Sequence, residues 1–153
     1  MLRVRLMPFL LASVAAALTA CGDSAGPASD FTVDFQPGPA SFPAGSEIAV
    51  LQGDPSQAAP YTVRVRFPDG YRLPPHFHPT DENVTVVEGT FLVGMGDVIN
   101  LQSVTTLGPG GFITAPAGGH HFAVARGRTV VQVHGMGPFA ITYVNPADDP
   151  ANQ

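Results

Sequence analysis

This 153-residue chain has five histidines, and all of them lie between His76 and His134. His76 and His78 are two residues apart, with Glu82 four further on. His121 follows Gly118, Gly119 and His120 in a second short segment. Three imidazoles and a carboxylate so arranged can surround one metal ion. Such a ligand set suits Zn, Fe, Mn, Ni or Cu rather than Ca or Mg. Elimination points the same way. The chain has no lysine, so no Schiff base can form. It has one cysteine, Cys21, far from these segments. No serine sits in a Gly-x-Ser-x-Gly elbow, and no Gly-rich phosphate loop leads into a helix. If the chain is a catalyst, the metal is its reactive centre.

The elements that position these residues read as β-strands. Side chains at i and i+2 of a strand share a face, so His76 and His78 point together, their Cα atoms roughly 7 Å apart. Glu82 follows a Pro79-Thr80-Asp81 turn that brings the chain back toward them. Gly118-Gly119 lead the backbone tightly into the strand that carries His121, while His120 should point the opposite way. Residues 31–35 alternate, as do residues 61–67, with Tyr61, Val63, Val65 and Phe67 on one face and Arg64 and Arg66 on the other. Residues 83–88 and 90–95 flank Glu88-Gly89, which reads as a hairpin turn. Residues 129–134 and 140–144 are further β-branched runs.

Seventeen glycines and sixteen prolines punctuate these runs and argue against long helices. The fold class is therefore all-β, a sandwich or barrel. Tyr71, Phe77 and Phe122 read as packing residues. In the run 129–134, Val130, Gln132 and His134 share one face, and Val131 and Val133 the other. Placing His134 inside makes it a proton carrier, with Gln132 a hydrogen-bond partner beside the metal. The other reading puts His134 at the barrel end near Gly135 and Gly137. Arg72 shares parity with His76, but Pro74-Pro75 disturbs the strand and favours exposure.

These segments resemble the two motifs of the cupin family. The first is matched by Gly70, His76, His78, Glu82 and Gly89, and the second by Gly110, Pro116, Gly118 and His121. The second motif usually ends in Asn, where this chain has Ala125. The resemblance implies a double-stranded β-helix, or jelly-roll, barrel holding one divalent transition metal on His76, His78, Glu82 and His121. Iron or manganese is preferred, with zinc and nickel as alternatives. Residues 130–149 also look like the C-terminal end of small bacterial single-domain cupins. Cupins include dioxygenases, decarboxylases and isomerases, and fold analogy does not choose among them.

The N-terminus reads as a targeting segment. Arg3 and Arg5 precede an apolar run over residues 6–17, and Leu18-Thr19-Ala20-Cys21 resembles a bacterial lipobox. Residues 1–20 are thus expected to be a signal peptide and Cys21 a lipidated anchor. Residues 21–30 read as a flexible tether, residues 31–146 as one domain and residues 147–153 as a polar tail. Gly22, rather than Asp, follows the cysteine, which leans toward an outer membrane or outer-surface destination. Removing Arg3 and Arg5 leaves five arginines against twelve acidic residues, a charge of −7. An acidic, lysine-free surface excludes nucleic acid as a partner and leaves Cys21 as the membrane contact.

Two functions follow. One is a mononuclear metalloenzyme of the cell envelope acting on a small anionic or phenolic molecule. Dioxygenase chemistry is preferred there, since two open metal positions could hold oxygen and a bidentate substrate together. The other is a non-catalytic metal- or ligand-binding module tethered to the membrane. Exposed barrel edges make a homodimer a further expectation.

Overall fold

Alternation of apolar and polar residues governs the strands of the computed structural model, which describes residues 32–153. Nine strands form: β1 (Gln36–Pro37), β2 (Glu47–Gln52), β3 (Pro60–Phe67), β4 (Arg72–Phe77), β5 (Glu82–Met95), β6 (Thr105–Leu107), β7 (Phe112–Ala115), β8 (His121–Met136) and β9 (Thr142–Tyr143). All pairings are antiparallel. The fold class read from the sequence is the one observed.

The two long strands are the frame. β8 runs beside β5 from Met95↔His121 to Glu82↔Gly135. Its other edge pairs with β4 near His121 and with β3 from Thr129 onward. β5 also carries β6 and β7, so the sheet curls around one interior. Tyr61, Val63, Val65 and Phe67 of β3, Leu73 of β4, Val84, Val86, Phe91 and Val93 of β5, and Ala123, Ala125, Val131 and Val133 of β8 fill that interior. Each buried Val or Phe contributes roughly 1.5–3 kcal/mol.

The second half of β8 faces opposite to the sequence reading. Val131 and Val133 point into the core, while Gln132 is half-buried and His134 exposed on the outer side. The cause is parity. β8 does not restart at Thr129 but continues from His121, so odd-numbered residues face inward along its length.

Glu88-Gly89 is not a hairpin turn either. It is a bulge inside β5, between the Val86↔Val131 and Thr90↔Arg126 pairs. Gly89 has φ +78°, and a Cβ there would sit 2.4 Å from the Arg128 carbonyl oxygen. Only glycine fits so close a backbone approach. Residues 32–35 form no strand, and pairing begins at Gln36. Phe35 instead lies beneath the Arg66 guanidinium, 4.2 Å from its ring centre. Residues 140–144 contribute only the short β9. The polar end of the chain forms two 3-10 turns, Pro146–Asp148 and Pro150–Asn152, capped by Asn145 and Asp149. The signal, lipobox and tether readings, with Cys21, lie outside the described residues.

Candidate metal centre

β4, the start of β5 and the start of β8 converge at one end of the interior. Pro74 and Pro75 cannot donate to the sheet ladder. The β4–β8 register accordingly slips between Leu73↔Ala123 and His76↔His121. That slip frees the Pro74 carbonyl, which accepts the His76 Nδ1 hydrogen at 2.6 Å. The two sequence segments are tied together by backbone. Gly118 N–H donates to the His78 carbonyl at 2.8 Å, and Ala117 N–H donates to Asp81 Oδ1 at 2.8 Å. Thr80 Oγ1 donates to the Met136 carbonyl at 2.8 Å, closing the turn before Glu82.

His76, His78 and His121 are 2%, 3% and 3% exposed, and one nitrogen of each lies within 4.8 Å of the others. A buried imidazole must have both nitrogens accounted for. His78 Nδ1 donates to the Ala140 carbonyl at 2.8 Å, and His121 Nδ1 to the Gly119 carbonyl at 2.9 Å. A carbonyl only accepts, so in all three rings Nδ1 carries a hydrogen, and Nε2 of the neutral ring presents a lone pair. Carbonyl oxygens thus orient the rings in the way that metal-bound histidines are usually held. His78 Nε2 is buried with no hydrogen-bond partner. A lone pair left facing two others is what a metal ligand requires.

Glu82 Oε2 stands 3.5 Å from His78 Nε2 and 3.7 Å from His121 Nε2. Burial alone would push this carboxyl up, but the His121 and His78 rings outweigh it and hold it well below the usual carboxylate range. His76 is pushed down to about 3 by burial first and by the neighbouring His121 second. It is therefore neutral at physiological pH and free to coordinate. Burial also lowers His78, but Glu82 beside it reverses the sign and leaves it raised. The three imidazoles and the carboxylate form a nitrogen and oxygen donor set that fits a divalent transition metal, which would displace any proton on His78. Such a metal would polarise an oxygen ligand bound beside it.

A cavity of about 300 Å³ opens from this cluster and is walled mainly by apolar side chains of the core. Phe139 lies over the site, its ring centre 5.0 Å from that of His78 and edge-on to Phe42 and Tyr61. Neither Phe139 nor the Ala140 carbonyl carries a motif signal. Pro74 and Gly119 do share one pattern, since each stands two residues before the histidine it orients. Tyr61 also lines the cavity.

The remaining candidates lie elsewhere. His134 opens onto an outer groove with Thr62, Thr80 and Asn83. Gln132 Oε1 accepts from Arg64 Nε at 3.4 Å on the same outer side. The inner-face placement of both is corrected by the strand parity above. His120 stacks on Phe77 and pairs with Asp97 at 2.6 Å, away from the cluster. Arg72 is exposed. Ala125, where the cupin motif has Asn, exchanges backbone bonds with Gly70 and Tyr71.

The comparisons define the class to which this geometry belongs. The chain belongs to the family described as a domain of unknown function, DUF4437, whose model matches residues 44–152. No curated protein is significantly similar in sequence. The solved structures it resembles include proteins described as cupins. A protein of Methylibium petroleiphilum, provisionally named an acetylacetone dioxygenase, superposes with TM-score 0.58 at 17% identity, covering 93% of this chain and 90% of that one. An RmlC-like cupin of Shewanella frigidimarina gives 0.54 at 18%, covering 68% and 83%. A structure of oxalate oxidase gives 0.54 at 25%, covering 87% and 72%. The domain is a cupin jelly roll with a histidine cluster able to bind a metal.

Proposed function

We propose that this protein is a mononuclear metalloprotein of the bacterial cell envelope, anchored through lipidated Cys21, with the metal on His76, His78, Glu82 and His121. The observation that carries this reading is the convergence of three carbonyl-oriented Nε2 lone pairs, one of them without any partner. Iron or manganese is the preferred ion. The preferred activity is oxygen-dependent oxidation of a small molecule, both atoms of O2 entering the substrate. The provisional name of one fold neighbour, an acetylacetone dioxygenase, supports that preference.

One observation favours a second reading, a non-catalytic binding module. With His134 and Gln132 outside the barrel, the polar side chains lining the cavity besides the four ligand residues are Tyr61, Ser56 and Asp54, and the last two bond each other. Burial, then the Glu82 charge, pushes Tyr61 up to about 12, which suits a hydrogen-bond donor better than a base.

Elemental analysis of the full chain, extracted in detergent without chelator, tests the metal. About one equivalent of iron or manganese is expected, lost in His78→Ala and Glu82→Ala. A full chain that stays metal-free after reconstitution removes the metalloprotein reading. Oxygen uptake with small enolic and phenolic compounds then separates enzyme from module. Cys21→Ser should move the protein from the membrane fraction to the soluble fraction. Unchanged membrane association would remove the anchor.

A further inference from the structure

The charges around the cavity restrict what it can hold. Its one largely buried acidic side chain is Glu82, beside the histidines; Asp54, also on the lining, is exposed and accepts from Ser56. No arginine among the described residues lines it. Arg64 is engaged with Gln132, Arg66 with Glu47 and Arg128 with Glu88, and Arg72 and Arg126 are exposed. The chain contains no lysine. A metal on the histidines would therefore be the one strong positive centre facing the cavity. The rest of the wall includes Phe42, Val65, Leu73, Phe91, Val133 and Phe139.

From this we infer that the cavity selects a ligand with a single chelating oxygen head and an uncharged, apolar body, and rejects the same head bearing a second anionic group. The inference rests on the metal reading above. The head reaches the metal, while the body lies against Phe139 and the valine and phenylalanine side chains. A second carboxylate there would lose its water and meet no cation, an arrangement that proteins avoid. Glu82 would repel it further. The cavity of about 300 Å³ suits a small molecule. The substrate class is thus a small monoanionic chelator, such as an enolate or phenolate with an apolar substituent, and not a diacid.

The test compares 4-methylcatechol with 3,4-dihydroxybenzoate, which share a head and differ in methyl against carboxylate. Both are titrated calorimetrically, under argon, into the full chain loaded with zinc, and zinc content is measured on the same sample. Their affinities for free zinc are measured alongside and divided out. The expected result is that 4-methylcatechol binds and that the carboxylated compound binds at least tenfold more weakly. Equal or tighter binding of 3,4-dihydroxybenzoate overturns the inference. So does failure of both to bind a sample carrying one zinc per chain, which leaves the metal reading intact. A sample that takes up no zinc overturns the metal reading, and this inference falls with it.

Discussion

Glu82 is the residue on which the site turns. Its carboxylate touches two of the three histidines and is the one anionic group at the cluster. Glu82→Gln keeps the shape and removes the charge. Metal affinity should fall tenfold or more, while the metal-free protein melts near the wild-type temperature. Thermal melts across a Mn(II) titration read both effects, because a bound ion raises stability by RT ln(1 + [L]/Kd). An undiminished Mn(II)-induced rise in the variant would show that Glu82 is no ligand. The residue types and spacings at this site were legible in the sequence, because a strand's period of two and a glycine turn are local properties. The atoms that orient the rings were not. Carbonyls of Pro74, Gly119 and Ala140 have no side-chain signature, and Ala140 is 62 residues from the histidine it holds. Phe139 was hidden for the same reason.

At the scale of elements, the bulge in β5 explains both what the sequence conveyed and what it concealed. Glu88-Gly89 carries a turn signal, and Gly89 does adopt a turn conformation, but tertiary pairing with β8 keeps the chain running forward. Across the bulge the inward parity of β5 changes, from Val84 and Val86 to Phe91 and Val93. β8 keeps its parity past Gly127. A run beginning at Thr129 leaves its inner face open to either choice, whereas continuity with the inward Ala123 and Ala125 places His134 outside. Thr129 locks the arrangement. Fully buried, its hydroxyl shares its one hydrogen between the Thr90 and Gly127 carbonyls, each 3.1 Å away, and accepts from Thr90 N–H at 3.3 Å. Thr129→Val keeps the shape and strands those groups, so it should destabilise by about 1–3 kcal/mol. Gly89→Ala adds a positive-φ cost and a clash with Arg128, again about 1–3 kcal/mol. Urea unfolding measures both, and a loss below about 0.5 kcal/mol in each would mean that the bulge is not a stability determinant.

For the whole molecule, two of the three tyrosines link the barrel to the segment over its cavity. Tyr71 OH donates to the Pro43 carbonyl, and Tyr143 OH donates to the Ser41 carbonyl at 2.8 Å. These bonds flank Phe42, which packs against Phe139 above the histidines. Each phenol is pushed up, by burial first, with Tyr61 reaching about 12. An unfolded tyrosine titrates near 10. The folded state therefore holds more protons than the unfolded state between these values, and the slope of stability with pH is negative there. The tyrosine contribution is fully present below about pH 10. It is lost as pH rises toward and through about 12. Absorbance at 295 nm should consequently stay flat past the ordinary phenol range, then rise together with loss of β-sheet circular dichroism. Tyr71→Phe and Tyr143→Phe remove one clamp each. Both should lower the pH of that joint transition and loosen the Phe42 segment, seen as faster amide exchange at residues 41–46. If phenolate instead appears near pH 10 with the circular dichroism intact, the tyrosines do not hold this segment, and the cavity wall formed by Phe42 must be kept in place by its apolar contacts alone.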